Sequence, residues 1–127
     1  MNEQIKKLVE LDRVIHEPAR LMLVAMLSEM EEADFLYLLR ETGMSKGNLS
    51  SHLTRLETAG YVEVTKTYRG KIQMTLCRLT EEGRAAFAEY QLALKTSLEA
   101  IADRTQTAGA RPASPAVPTG AALVNQG

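Results

Sequence analysis

The stretch Gly43–Val64, GMSKGNLSSHLTRLETAGYVEV, decides the fold. Leu49, Leu53 and Leu56 recur at the spacing of one helical face. Ser45 stands where a hydroxyl can N-cap that helix, and Gly43 stands where a preceding helix would end in the left-handed conformation. Met44 and Ser45 complete a tight turn, and Gly60 ends the second helix. The period then changes. Tyr61-Val62-Glu63-Val64-Thr65 alternates, with Val62 and Val64 on one face, as a half-buried strand does. The spacing therefore predicts a helix from Lys46 to about Ala59 that feeds directly into a strand.

Working downstream, Ile72, Met74 and Leu76 alternate as a second strand. Thr67-Tyr68-Arg69-Gly70-Lys71 between the two reads as a hairpin tip. Thr80 can cap a last helix, with Glu81 and Glu82 opposing its dipole, running to about Ile101. Working upstream, Asp34 can cap a short helix that turns Phe35, Leu38 and Leu39 inward. Pro18 suits the first position of a helix whose buried face is Leu23, Met26, Leu27 and Met30. Residues 3–14 read as one further helix, with Ile5, Leu8, Leu11 or Asp12, and Ile15 on a stripe and Val9 beside it. The expected class is mainly α with a small β-hairpin wing (α+β), a winged helix-turn-helix.

The second helix of that motif has a leucine face and a polar face. The polar face carries Lys46, Gly47, Asn48, Ser50, Ser51, Thr54 and Arg55, and the nearest acid is Glu57 at the far end. A helix that enters a major groove needs short side chains for close approach and donors for bases and phosphates. Ser45, Lys46 and the first-turn amides suit a phosphate. Asn48 and Ser51 suit base edges, Arg55 a guanine or phosphate, and Ser50 and Thr54 flank them. Arg69 and Lys71 in the wing suit the DNA backbone or minor groove, with Lys66 and Arg78 as further phosphate candidates.

GMSKGNLSSHLTRLETAGYVEV resembles the recognition helix and first wing strand of MarR- and ArsR-like winged-helix transcriptional regulators. LCRLTEEGRAAFAEY resembles the end of their wing and the next helix, and HEPARLMLVAMLSEMEEADFLYLLRETG their opening helices. The resemblance covers about residues 14–90 and is closest to compact MarR-like regulators made of little more than this domain. It implies a homodimer with interlocking N- and C-terminal helices on a pseudo-palindromic operator. No Cys-x-Cys lies on the helices, which departs from the metal-sensing branch.

The charge map agrees. The chain of 127 residues carries a net −1, yet residues 44–78 hold Lys46, Arg55, Lys66, Arg69, Lys71 and Arg78 against Glu57 and Glu63, a net +4. Residues 102–127 hold three of the four prolines and read as a flexible tail, which makes residues 1–101 the DNA-binding and dimerisation domain. About 100 residues form a thin core, and the stripe Phe87, Tyr90, Leu94, Leu98 and Ile101 is long for it. A dimer interface pairing that stripe with Ile5, Leu8 and Ile15 of a second copy answers both points. Packing within one chain is the alternative.

Two histidines and one cysteine make no conventional zinc site, and no nucleophile elbow, P-loop or dinucleotide fingerprint is present. No enzyme, metal or cofactor is expected. His52, on the flank of the leucine stripe, reads as a packed or hydrogen-bonded residue ahead of a base reader, and His16 as a helix-start residue. Cys77 reads as packed ahead of redox-sensing, which would need exposure and a depressed pKa. The methionines read as core ahead of an adaptable ligand pocket. No apolar run is long enough to span a bilayer and no secretory leader is recognisable, so the expected location is the cytoplasm. The expected function is sequence-specific binding of double-stranded DNA by a homodimer, with repression as the expected sign and a small-molecule effector as a further partner. The alternative is a winged-helix protein-interaction module that binds no DNA.

Overall fold

The computed structural model describes residues 3–109. Helix α1 spans Glu3–Lys6 and passes into a 3-10 turn, Lys7–Glu10. The single helix expected over 3–14 is not formed. Leu11 is extended (ψ 149°), and the Asp12 carboxylate accepts from the Val14 and Ile15 amides at 2.9 and 3.2 Å. An aspartate that binds its neighbours' amides competes with helical hydrogen bonding, and here it wins. The resulting bend still lets Leu11 and Ile15 bury together against Tyr90.

Helix α2 is Pro18–Ser28, capped by the Glu17 carboxylate, which accepts from the Arg20 amide at 2.8 Å. Its fully buried residues are Leu23, Val24 and Leu27, with Met26 and Met30 at the margin. Strand β1 is only Ala33–Asp34. Helix α3 is Phe35–Thr42, capped by Asp34 and closed by Gly43 in the left-handed conformation. Helix α4 is Lys46–Thr58, and Ser45 caps it by accepting from the Asn48 amide at 3.2 Å.

Strands β2 (Val62–Arg69) and β3 (Ile72–Leu79) form the hairpin, and β1 adds to the outer edge of β3, giving the antiparallel order β1-β3-β2. The hairpin is longer and its tip tighter than the alternation suggests: Arg69 pairs with Ile72 across the two-residue turn Gly70-Lys71. Gly70 alone takes positive φ (65°), the pattern of a II′ turn with glycine first. The core phase of β3 also differs from the expected Ile72, Met74 and Leu76. Val62 pairs with Leu79 and Val64 with Cys77, and paired residues share a face. Cys77 and Leu79 therefore enter the core, while Ile72 lies on the other face and is exposed.

The main core gathers leucines of α2, α3 and α4 with Val62, Cys77 and Leu79. A second cluster holds Leu11, Ile15 and Tyr90, and Phe87 and Tyr61 pack against both. Helix α5 starts at Glu81, with the Thr80 hydroxyl accepting from the Gly83 amide at 2.9 Å. It runs to Gly109, past Ile101, and the N-terminal segment packs along it. The remaining residues read as tail, 110–127, lie outside the described residues.

Candidate nucleic-acid interface

Leu49, Leu53 and Leu56 are all buried, so α4 has one possible outward face. Ser45, Lys46, Asn48, Ser50, Ser51, Thr54 and Arg55 are exposed on it, as are Lys66, Arg69 and Lys71 of the hairpin. No acid occupies the first turn of α4, which keeps its positive dipole end uncompensated. The Ser45 hydroxyl accepts the Asn48 amide but keeps its own hydrogen to donate.

The structure divides these residues into two flanks. Ser50, Thr54 and Glu57 line a groove of about 320 Å³ with Val64, Lys66 and Thr75 of the hairpin. Asn48 and Arg55 share helical phase with His52, on the flank toward α2. Gly47 and Ser51 lie between the flanks. The hairpin likewise has two faces: Lys66 and Tyr68 on that of Val62 and Val64, Arg69 on the other, across from Ile72.

Arg78 is not a free phosphate ligand. It pairs across the ladder with Glu63, its guanidinium 2.5 Å from the carboxylate. Tyr68, 67% exposed beside Lys66, was missed by sequence reasoning. Its signal was an aromatic next to the glycine turn of a cationic hairpin.

Two other side chains have clear environments. Cys77 is fully buried, and burial, with the charges of Asp34 and Glu57, pushes its thiol up to about 11. That is the setting of a packed cysteine. His16 Nδ1 and the Tyr90 hydroxyl are 2.7 Å apart, so His16 ties its turn to α5. Among the described residues no group of three or more His, Cys, Asp or Glu side chains could hold a metal, and no helix is long and apolar enough to cross a membrane.

The expected dimer residues separate into used and unused. Ile15 and Tyr90 are buried inside one chain and leave no surface for a second copy, because the bend after Asp12 has already brought the N-terminal segment onto α5. Phe87 packs between the two cores, and Ile5 and Leu8 are half-buried. Leu94 packs at the edge of the second cluster, Ile101 is half-buried, and Leu98 remains exposed. Leu98 is 51% exposed and, with Leu94 and Ala102, lines a shallow groove of about 530 Å³ on α5.

A helix-turn-helix whose second helix is polar outward, backed by a hairpin with a cationic tip, defines a winged-helix DNA-binding protein. A family model described as a winged helix DNA-binding domain matches residues 19–98, and the chain belongs to that family. An uncharacterized protein of Methanocaldococcus jannaschii is 33% identical over 79 residues, 61% of this chain and 85% of that protein. The structure is similar to the transcriptional regulator homologue of Pyrococcus horikoshii OT3 (TM-score 0.72, 23% identity, 79% of this chain and 98% of that one). It is also similar to the transcriptional repressor BigR of Xylella fastidiosa (TM-score 0.51, 29% identity, 71% and 86%). The winged-helix class expected from sequence is the class found. The family's domain is a DNA-binding one.

Proposed function

We propose that this protein is a homodimeric repressor that binds a pseudo-palindromic operator through α4 and the β2–β3 hairpin. The observation that carries the reading is the composition of one surface. Short polar side chains cover α4, no acid precedes Glu57, and Lys46, Arg55, Lys66, Arg69 and Lys71 are all exposed. In this reading Asn48 and Ser51 face base edges, Ser45 and Lys46 hold a phosphate at the helix N-terminus, and Arg69 and Lys71 meet the backbone at the wing. The repressor sign follows the resemblance to BigR.

The dimer is supported by the length of α5 and the exposed Leu98 groove. Two copies joined along α5 would set the recognition helices roughly 34 Å apart, so half-sites fall about 10 base pairs apart or a multiple of that. A small-molecule effector seated between the dimer helices and the winged domain would act by changing that spacing.

The test is fluorescence anisotropy with labelled duplex from upstream of the protein's own gene, against a scrambled duplex, with salt raised from about 50 to 200 mM. Preferential binding that weakens steeply with salt supports the reading. Equal binding to both removes the operator assignment. Binding to neither, by a folded protein, leaves the protein-interaction alternative standing.

A further inference from the structure

Arg20 is a charged side chain buried to 8% exposure, and its side-chain hydrogen bonds reach the turn before α2 and the middle of α4. Its Nε donates to the Val14 carbonyl at 2.6 Å, and Nη2 reaches the Arg13 carbonyl at 3.4 Å. Nη1 donates to Nδ1 of His52, on α4, at 3.2 Å. Arginine has no acceptor, so Nδ1 carries the lone pair and Nε2 the ring proton. The Glu17 carboxylate supplies the opposing charge. Its pKa is lowered, first by the Arg20 amide that donates to it and further by the charge of the Arg20 guanidinium. It stands 3.9 Å from Nδ1, outside hydrogen-bond range. One guanidinium thus holds the 13–17 turn and the middle of α4 together.

His52 shares helical phase with Asn48 and Arg55. The flank of α4 assigned to bases and phosphates is therefore continuous with the side chain that Arg20 grips. We propose that Arg20 and His52 are positioning residues for DNA binding: the Arg20–His52 bond sets the pose in which α4 is presented to the groove. The proposal rests on the DNA-binding reading above. Leucine packing alone permits small rotations of α4 about its axis. A directional hydrogen bond to a guanidinium that is itself fixed by backbone carbonyls removes them. A misplacement of that kind costs base contacts more than phosphate contacts, because base readout tolerates less displacement.

Arg20 variants risk unfolding the chain, because they leave buried carbonyls unpaired. The test therefore uses His52. Asparagine places Oδ1 near the position of Nδ1, whereas glutamine places its terminal amide near Nε2. His52→Ala, His52→Asn and His52→Gln are compared for operator and scrambled-duplex affinity, and for amide hydrogen exchange along α4 without DNA.

The expected result is about a tenfold loss of operator affinity in His52→Ala, the scale of one hydrogen bond to a charged group. Scrambled-duplex affinity and salt slope should stay unchanged, and α4 exchange should quicken. His52→Asn should recover most of both losses and His52→Gln should not. Recovery by glutamine instead of asparagine would mean that Nε2 touches DNA directly and would overturn the positioning role. So would wild-type affinity and exchange in His52→Ala. If the unaltered protein binds neither duplex, the DNA reading fails, and α4 exchange by itself judges whether the bond holds the helix.

Discussion

The Cα of Gly83, in the first turn of α5, lies against the backbone carbonyl of Tyr61, where a Cβ would overlap the oxygen. The Thr80 amide donates to that same carbonyl at 3.0 Å, and the Thr80 hydroxyl donates to the Gly60 carbonyl at 2.6 Å. Helix α5 is therefore anchored on the junction between α4 and β2. Helix propensity alone says that alanine at 83 should stabilise by about 1 kcal/mol. The contact says the reverse, because overpacking against backbone costs about 1–3 kcal/mol. Gly83→Ala should lower stability by that amount in urea unfolding; a gain would show that the junction is loose.

Stability should fall at alkaline pH. The Tyr61 hydroxyl donates to the Asp12 carboxylate, and that bond, then burial, raises it from about 10 to about 12. Burial raises Cys77 to about 11 and moves Tyr90 upward. Each is an acid whose proton the unfolded chain releases first. Their contribution is full below the unfolded values of about 9–10 and is lost as pH climbs through the folded ones. The melting temperature should hold to about pH 8.5 and then decline toward pH 12. Asp12→Asn should shrink the part of that decline due to Tyr61. A melting temperature unchanged at pH 11.5 would count against all three assignments.

The wing cations are not equivalent. Arg69→Ala and Lys71→Ala should each reduce the slope of log affinity against log salt by about one, alike on any duplex. Arg78→Ala should leave the slope alone, since Arg78 already pairs with Glu63. A change for Arg78 equal to that for Arg69 would mean that the ion pair opens on DNA.

The two exposed leucines of α5 should also behave differently. Leu98 lines the apolar groove, while Leu92 is exposed about 120° further round the helix and does not line it. If α5 is the dimer seam, Leu98→Asp should give a monomer by sedimentation at micromolar concentration, with the far-ultraviolet spectrum kept. Leu92→Asp should leave the mass unchanged. A shift in mass with Leu92→Asp alone would move the seam to the Leu92 side of α5.

What the sequence determined by itself was local. Asp34, Ser45 and Pro18 stand at helix starts because capping acts over three or four residues, and those residues sit side by side in the chain. The polar face of α4 was legible for the same reason: leucines at helical spacing leave one side for everything else. Strand phase, pairing and burial between distant segments were not local. Strand β1 is two residues long and exists only because β3 lies beside it. The core phase of β3 came from its register with Val62 and Val64, a property of the pair that alternation in one strand cannot carry. The N-terminal helix broke where the Asp12 carboxylate bound its neighbours' amides, and the bend put Ile15 against Tyr90 inside one chain. Only tertiary structure could decide which part of the α5 stripe was already covered, because burial depends on what distant segments bring to the same place.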